Sequence, residues 1–210
     1  MKKLLIVDDH EIVRDGLKRI LVEQPDALSF GEAGTASEAL LLAEREPWDA
    51  VVLDLSLCGR NGLEVLKQLK HIRPKLPVLI LSMHSEEQYA RRAFAAGAAG
   101  YITKDSPRAE LVRAILKVLD GGRYISLPMA ERLAFETESD QNRPLHTTLS
   151  NRELEVLCRI AAAKTVSEIG AELSLSDKTI STYRARLLRK MEMKNNADLM
   201  RYAMQNGLVD

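Results

Sequence analysis

The 210-residue sequence predicts an α/β domain, a parallel sheet with helices wound on both sides, followed by a small all-α domain. Three observations predict it. Short, unbroken apolar runs recur at Leu4–Val7, Ala50–Leu53 and Val78–Leu81, the pattern of strands buried on both faces. Between these runs the apolar residues switch to helical spacing, and strands alternating with helices call for parallel crossovers. Beyond residue 121 no strand pattern returns, and from Leu149 onward every segment reads as a capped helix.

Each element has its own warrant. Lys3 to Val7 is the first strand, ending in Asp8-Asp9. Residues 10–23 place Val13, Leu17, Ile20 and Leu21 on one helical face, with Arg14, Lys18 and Glu23 elsewhere. Leu28 to Gly34 is a second strand. Thr35-x-x-Glu38 has capping-box spacing and opens a helix through Ala39, Leu40 and Ala43, closed by Pro47. The third strand ends at Asp54, and a glycine-bearing loop runs to Gly62. A helix carrying Leu63, Leu66, Leu69 and Ile72 stops at Arg73-Pro74. Pro77 to Ser82 is the fourth strand, Ser85-x-x-Gln88 caps an alanine-rich helix ending near Gly97, and Ala99 to Thr103 is the fifth strand. Ser106-Pro107 fits an N-cap followed by proline at the first helical position. The helix after it buries Leu111, Ala114, Ile115 and Val118 and stops at Gly121-Gly122.

Residues 1–121 thus form one domain. Residues 122–147, rich in Gly, Pro, Ser, Thr, Gln and Asn, read as a linker, with a short helix between Met129 and Phe135. Residues 148–210 form a second domain. Ser150-x-x-Glu153 and Thr165-x-x-Glu168 are capping boxes, Ser176 caps a longer helix, and Asn195 or Asn196 begins the last one.

Composition narrows the class of protein. With 46% hydrophobic and 29% charged residues the chain can bury a core and has the composition of a globular protein. Thirty basic and thirty acidic residues cancel, so no global field marks a nucleic-acid or membrane binder. The balance is uneven, however: from Lys178 to Lys194 six basic residues face the single acidic Glu192. Two distant cysteines, Cys58 and Cys158, supply neither a disulfide framework nor a metal spacing. The short apolar stretch after Met1-Lys2-Lys3 is no signal peptide, and no run reaches membrane-spanning length, so a cytoplasmic protein without a membrane partner is expected.

In a parallel sheet all carboxyl ends lie on one edge, where ligands bind. Asp8 and Asp9 (strand 1), Asp54 (strand 3), Ser82 (strand 4) and Lys104 (strand 5) therefore gather. Ionising three carboxylates together calls for a cation, and hard oxygen donors with room for water suit Mg2+. A carboxylate can form an acyl phosphate, with Lys104 and the Ser82 hydroxyl holding phosphoryl oxygens. Bland readings stand beside this one. Asp8-x-x-Glu11 has capping-box spacing, Lys104 alone reads as a surface lysine, and Ser82 alone as a strand-end hydroxyl. Only Asp54, at the end of an all-apolar strand, resists dismissal by itself, because an uncompensated buried carboxylate costs several kcal/mol. The placement of all five at one edge favours the site.

These stretches, Ile6-Val7-Asp8-Asp9-His10, Val51-Val52-Leu53-Asp54-Leu55, Leu79-Ile80-Leu81-Ser82 and Gly100-Tyr101-Ile102-Thr103-Lys104-Asp105, resemble the receiver domain of two-component response regulators over residues 1–121. The resemblance implies a flavodoxin-like, doubly wound five-stranded parallel sheet of order 2-1-3-4-5, and phosphorylation of Asp54 by a sensor histidine kinase. It implies Mg2+ held by Asp9, Asp54 and the Ser56 carbonyl, with Asp8 acting through water. Ser82 and Lys104 would contact the phosphoryl oxygens, and Tyr101 would swing inward as Ser82 moves. Where the family usually has Met-Pro-Gly after the aspartate, this chain has Leu57-Cys58-Gly59.

In the tail, Glu168 to Leu173 makes a short helix, Ser174-Leu175-Ser176 turns, and Lys178 to Lys190 makes a second helix, which is helix-turn-helix spacing. Lys178, Arg184 and Lys190 suit phosphate contacts, and Ser181 and Thr182 suit base edges. A solvated basic helix face is the bland alternative. Leu149-Ser150-Asn151-Arg152-Glu153, Lys164 to Leu173 and Ser176 to Tyr183 resemble the LuxR-type domain of the NarL/FixJ class. That resemblance adds Thr179, Tyr183 and Arg186 to the DNA-facing set, and implies promoter DNA as a partner and a phosphorylation-dependent homodimer. It departs at Ala163, where glycine is usual, at Val166, where a polar residue is common, and at Gly170, where alanine is usual. Gly170 in a helix is expected to cost roughly 0.5–1 kcal/mol.

Two other classes lose ground. An aspartyl-phosphate hydrolase usually has a second carboxylate two residues after its nucleophile, where this chain has Ser56. A flavodoxin-like cofactor binder needs a phosphate-cradling loop after strand 1, where this chain has Asp8-Asp9. The expectation is a DNA-binding regulator, not an enzyme.

Overall fold

The computed structural model describes residues 1–24, 27–57, 61–83, 86–135 and 144–209, without the side chains of 86–88 and 132–135. The chain divides into two compact units, Met1–Phe135 and Glu136–Asp210. The expected cap at Ser85, the Cys58-Gly59 departure and the centre of the expected linker lie outside the described residues.

In the first unit β1 (Lys2–Val7), β2 (Leu28–Ala33), β3 (Ala50–Asp54), β4 (Val78–Ser82) and β5 (Gly100–Thr103) form one all-parallel sheet in the order β2-β1-β3-β4-β5. The helices between them are α1 (Glu11–Val22), α2 (Ala36–Arg45), α3 (Gly62–Ile72) and α4 (Glu86–Ala95), and α5 (Arg108–Leu119) follows β5. The apolar runs are strands because both faces are covered: all five residues of β3 and of β4 are buried. Leu4, Ile6, Val52, Leu79, Leu81 and Ile102 face one layer, packed against Leu17 and Leu21 of α1 and Ala114, Ile115 and Val118 of α5. Neighbours of alternate parity, including Leu5, Val7, Leu53, Ile80 and Tyr101, are equally buried and face the other layer.

Two details differ from the expectation. Helix α5 begins one residue later than the Ser106-Pro107 pattern suggests: Pro107 is its N-cap, and the Ser106 hydroxyl lies 3.0 Å from that of Thr103 instead of capping. The segment expected to begin the linker is also structured. Tyr124 makes an isolated parallel bridge with Gly100, its N–H donating to Ala99 O at 2.8 Å, and α6 (Leu127–Phe135) follows with Met129 buried.

The second unit opens with a 3-10 turn (Leu145–Thr148), then α7 (Asn151–Ala161), α8 (Val166–Leu173), α9 (Asp177–Lys190) and α10 (Asn196–Gln205). Both expected capping boxes form, Ser150 with Glu153 and Thr165 with Glu168, and the Ser176 and Asn195 side chains cap α9 and α10. Helix α7 packs on α8, α9 and α10 through Leu154, Leu157, Ile169, Ile180, Leu187 and Leu199, each fully buried.

Candidate functional site

The sheet topology brings the edge residues together. Asp8 follows β1, Asp54 ends β3, Ser82 ends β4 and Lys104 follows β5. Asp8 and Asp54 are each 1% exposed and Ser82 is enclosed entirely. Lys104 closes the cluster. Its backbone N–H donates to Ser82 O at 2.8 Å, and its ammonium donates to Asp8 Oδ2 at 2.7 Å and to Asp54 Oδ2 at 2.9 Å. The bland reading of a solvated lysine therefore fails.

The capping-box reading of Asp8 fails as well. Helix α1 is N-capped by His10, without a side-chain cap. Asp8 Oδ1 instead accepts the His10 N–H at 2.9 Å, and Arg14 Nη1 donates to the Asp8 carbonyl at 2.7 Å. The β1–α1 turn is thus held by its own acidic residue and by a guanidinium from the first turn of α1.

Burial pushes the Asp54 carboxyl above the ordinary carboxylate range, opposed by the Ser56 N–H at 3.0 Å and by the Lys104 ammonium. Burial also works against the charge on Lys104, but its hydrogen bonds to Asp8 and Asp54 outweigh it and hold the ammonium above its ordinary value. One ammonium therefore faces more than one buried carboxylate. The three carboxylates are hard, anionic donors, and one ligand atom each from Asp8, Asp9, His10 and Asp54 lies within 4.8 Å of the others. Such a set fits a small divalent cation.

By the β4–β5 register, Ile80 pairs with Tyr101 and Ser82 with Thr103, so Tyr101 and Ser82 share one face of the sheet. The ring expected to swing inward is already enclosed beneath α4 and is 1% exposed.

The second candidate site is α9. Lys178, Ser181, Thr182, Ala185, Arg186 and Arg189 are all exposed and recur at helical spacing, so they form one face. Opposite them Ile180 and Leu187 are buried. Not every expected contact lies on that face. Lys190 turns aside, donating at 2.7 Å to Glu153, whose side chain is almost wholly buried. Arg184 Nε donates to Asn196 Oδ1 at 2.6 Å, Tyr183 is half-buried with the Arg186 guanidinium 6.0 Å from its ring, and Thr179 Oγ1 lies 2.8 Å from the Ser176 hydroxyl of the cap. Arg189, absent from the expected set, takes the position Lys190 was expected to hold; its i+11 spacing from Lys178 was the available signal.

Gly170 has a steric reason. A Cβ there would lie 2.8 Å from Leu175 O and 3.2 Å from Asp177 Oδ1, so the turn into α9 closes directly onto it. The turn itself passes through Ser174 at φ 53, in the left-handed region.

Comparison with known proteins identifies the domains that carry these residues. Residues 4–116 match the response regulator receiver domain, and residues 147–203 match the bacterial regulatory proteins of the luxR family. Response regulator GacA of Pseudomonas aeruginosa is 35% identical over 100% of this chain and 99% of its own. Response regulator UvrY of Escherichia coli K12 is 33% identical over 100% of this chain and 97% of its own. The structure of RcsB from Salmonella enterica serovar Typhimurium bound to promoter rprA with the phosphomimetic BeF3- covers 97% of this chain and 99% of its own at TM-score 0.65; at 24% identity it is alike in fold. With a buried acidic edge in its sheet and a basic face on its helix-turn-helix, the chain belongs to the NarL/FixJ class of response regulators, DNA-binding regulators rather than enzymes.

Proposed function

We propose that Asp54 accepts a phosphoryl group from a sensor histidine kinase in the cytoplasm, and that the added charge promotes dimerisation and promoter binding. The observation carrying this reading is the Lys104 ammonium within 2.9 Å of both Asp8 and Asp54. An Asp54 carboxylate oxygen attacks the phosphorus of the donor phosphohistidine. The new O–P bond forms as the P–N bond breaks, and the imidazole leaves with its electron pair. Lys104 and the Ser82 hydroxyl hold equatorial phosphoryl oxygens, and Asp9, Asp54 and the Ser56 carbonyl would hold Mg2+, with Asp8 acting through water. When bound, Mg2+ neutralises the charge of the transferring group.

Drawing Lys104 and Ser82 toward the phosphoryl group would act on β4 and β5 together, since the Lys104 N–H already bonds to Ser82 O. Tyr101, on the same sheet face as Ser82, is the aromatic that would register this movement. The test is phosphate-affinity gel mobility of the full chain after incubation with acetyl phosphate and Mg2+. Wild type is expected to shift, and Asp54→Ala to remain unshifted. An equal shift in both would remove Asp54 as acceptor.

For DNA, the exposed face of α9 supports Lys178, Arg186 and Arg189 as phosphate contacts and Ser181 and Thr182 as the residues nearest base edges, with Thr179, Tyr183 and Arg184 at its margins. The Lys190 geometry favours a structural role. The triple variant Lys178→Ala/Arg186→Ala/Arg189→Ala is expected to bind a random-sequence duplex more weakly. The slope of log K against log salt should fall by about one for each phosphate-binding side chain removed. Lys190→Ala should leave that slope within about half a unit and lower thermal stability instead. Equal slopes for the triple variant and wild type would exclude this face.

A further inference from the structure

We propose that His10 is a fourth donor of the receiver's cation site, and that it biases the site toward divalent transition ions over Mg2+. The inference rests on the reading that Asp9, Asp54 and the Ser56 carbonyl hold a divalent cation, with Asp8 acting through water.

The local chain path delivers the imidazole there. His10 has extended backbone (φ −90, ψ 108) between Asp9 and the first residue of α1, and its side chain makes no capping bond. The bond from its N–H to Asp8 Oδ1 folds the residue back over the edge of β1. Nδ1 comes to lie 3.2 Å from Asp8 Oδ1 and 2.9 Å from Asp9 Oδ1.

These spacings are within hydrogen-bond range, and they also suit adjacent ligands of one ion. Donors on opposite sides of a cation bound at about 2.1–2.3 Å are at most about 4.2–4.6 Å apart. Asp9, His10 and Asp54 already present ligand atoms within 4.8 Å of one another, so closing on one ion requires a contraction of a few tenths of an ångström. Nor does Lys104 compete for the same atom. It takes Oδ2 of Asp8 and Oδ2 of Asp54, while His10 faces Oδ1 of Asp8. The His10 side chain is 63% exposed, which leaves water access to complete the coordination shell.

A neutral imidazole nitrogen changes what such a site prefers. Mg2+ keeps oxygen ligands and gains little from nitrogen, whereas Co2+, Ni2+ and Zn2+ bind imidazole well. All three-carboxylate sites favour these ions somewhat, so bare affinity does not test His10. The ratio of Co2+ to Mg2+ affinity in wild type and variant does.

Isothermal titration of the full chain with CoCl2 and with MgCl2 would measure that ratio for wild type, His10→Ala and His10→Asn. Asp9→Asn supplies the background from the other three histidines. The ratio is expected to fall tenfold or more in both His10 variants. A paramagnetically shifted imidazole N–H resonance should appear with Co2+ in wild type and vanish in His10→Ala. An unchanged ratio with both metals still bound would show that His10 is no ligand, leaving the carboxylate site standing. Binding of both metals unaffected by Asp9→Asn would overturn the carboxylate site and this inference together.

Discussion

Replacing Gly62 with alanine is expected to destabilise the first unit by about 3 kcal/mol and to impair phosphorylation of Asp54. Gly62 opens α3, and its N–H donates to Leu55 O at 2.9 Å, which presses the helix start onto the end of β3. A Cβ at this position would lie 2.5 Å from Asp54 O, 2.5 Å from Leu55 Cα and 2.9 Å from Leu55 O. These are backbone atoms and cannot swing aside, so either α3 retreats or the Asp54–Leu55 peptide moves. The first outcome opens the core around Leu63 and Leu66, both buried. The second displaces the carboxylate whose oxygens are fixed by Ser56 N–H and Lys104. The sole tryptophan, Trp48, lies in the first unit, so its fluorescence reports unfolding of that unit. Its thermal midpoint should fall by roughly 10 °C. Gly16→Ala is the control: nothing lies within 4 Å of its added Cβ in the middle of α1, and it should stabilise by about 0.5–1 kcal/mol. Equal effects of the two substitutions would show that the contact at Gly62 is not what matters.

Most of this architecture was legible in the sequence because its causes are local or topological. Apolar runs without alternation mark strands covered on both faces, and the capping boxes at Ser150 and Thr165 mark helix starts that form as spaced. The acidic edge was legible for a topological reason: once the sheet is parallel, Asp8, Asp54, Ser82 and Lys104 have nowhere to be but one edge. What escaped depends on long-range packing. That Lys190 rather than Arg189 reaches across to α7 is decided by a glutamate 37 residues earlier, which no helical period within α9 reveals. The Gly100–Tyr124 bridge joins a residue beyond α5 to the sheet, and its sequence reads only as linker. Gly170 read as a flaw in a helix and proves to be the point where the turn into α9 closes. Ala163 is the converse: it holds φ 60 where glycine is usual, a strain of about 1 kcal/mol accepted at the end of α7.

The second large effect is expected at Glu153, whose replacement by alanine should destabilise the helical unit by about 2–3 kcal/mol. Its Oε2 accepts both the Ser150 N–H at 2.8 Å and the Lys190 ammonium at 2.7 Å, while the residue itself is 3% exposed. One carboxylate thereby closes the first turn of α7 and ties it to the last turn of α9. Truncation removes the reciprocal half of the capping box and leaves a small void. Lys190 is 40% exposed and can rehydrate, which keeps the loss below that for breaking a fully buried pair. Burial alone would push the Glu153 carboxyl up, but Lys190 and the Ser150 amide and hydroxyl outweigh it and hold it below the ordinary glutamate value. A carboxyl depressed in the folded state stabilises fully above its unfolded value, about 4.3, and loses that contribution as pH falls through the folded value. The stability gap between wild type and Glu153→Gln should therefore be widest near neutral pH and should close progressively below about pH 4.3. Because Trp48 lies in the other unit, the gap is read in the far-ultraviolet circular dichroism of the helices. A gap that persists unchanged down to about pH 2 would mean that the charge on Glu153 contributes nothing, and that the link between α7 and α9 is packing alone.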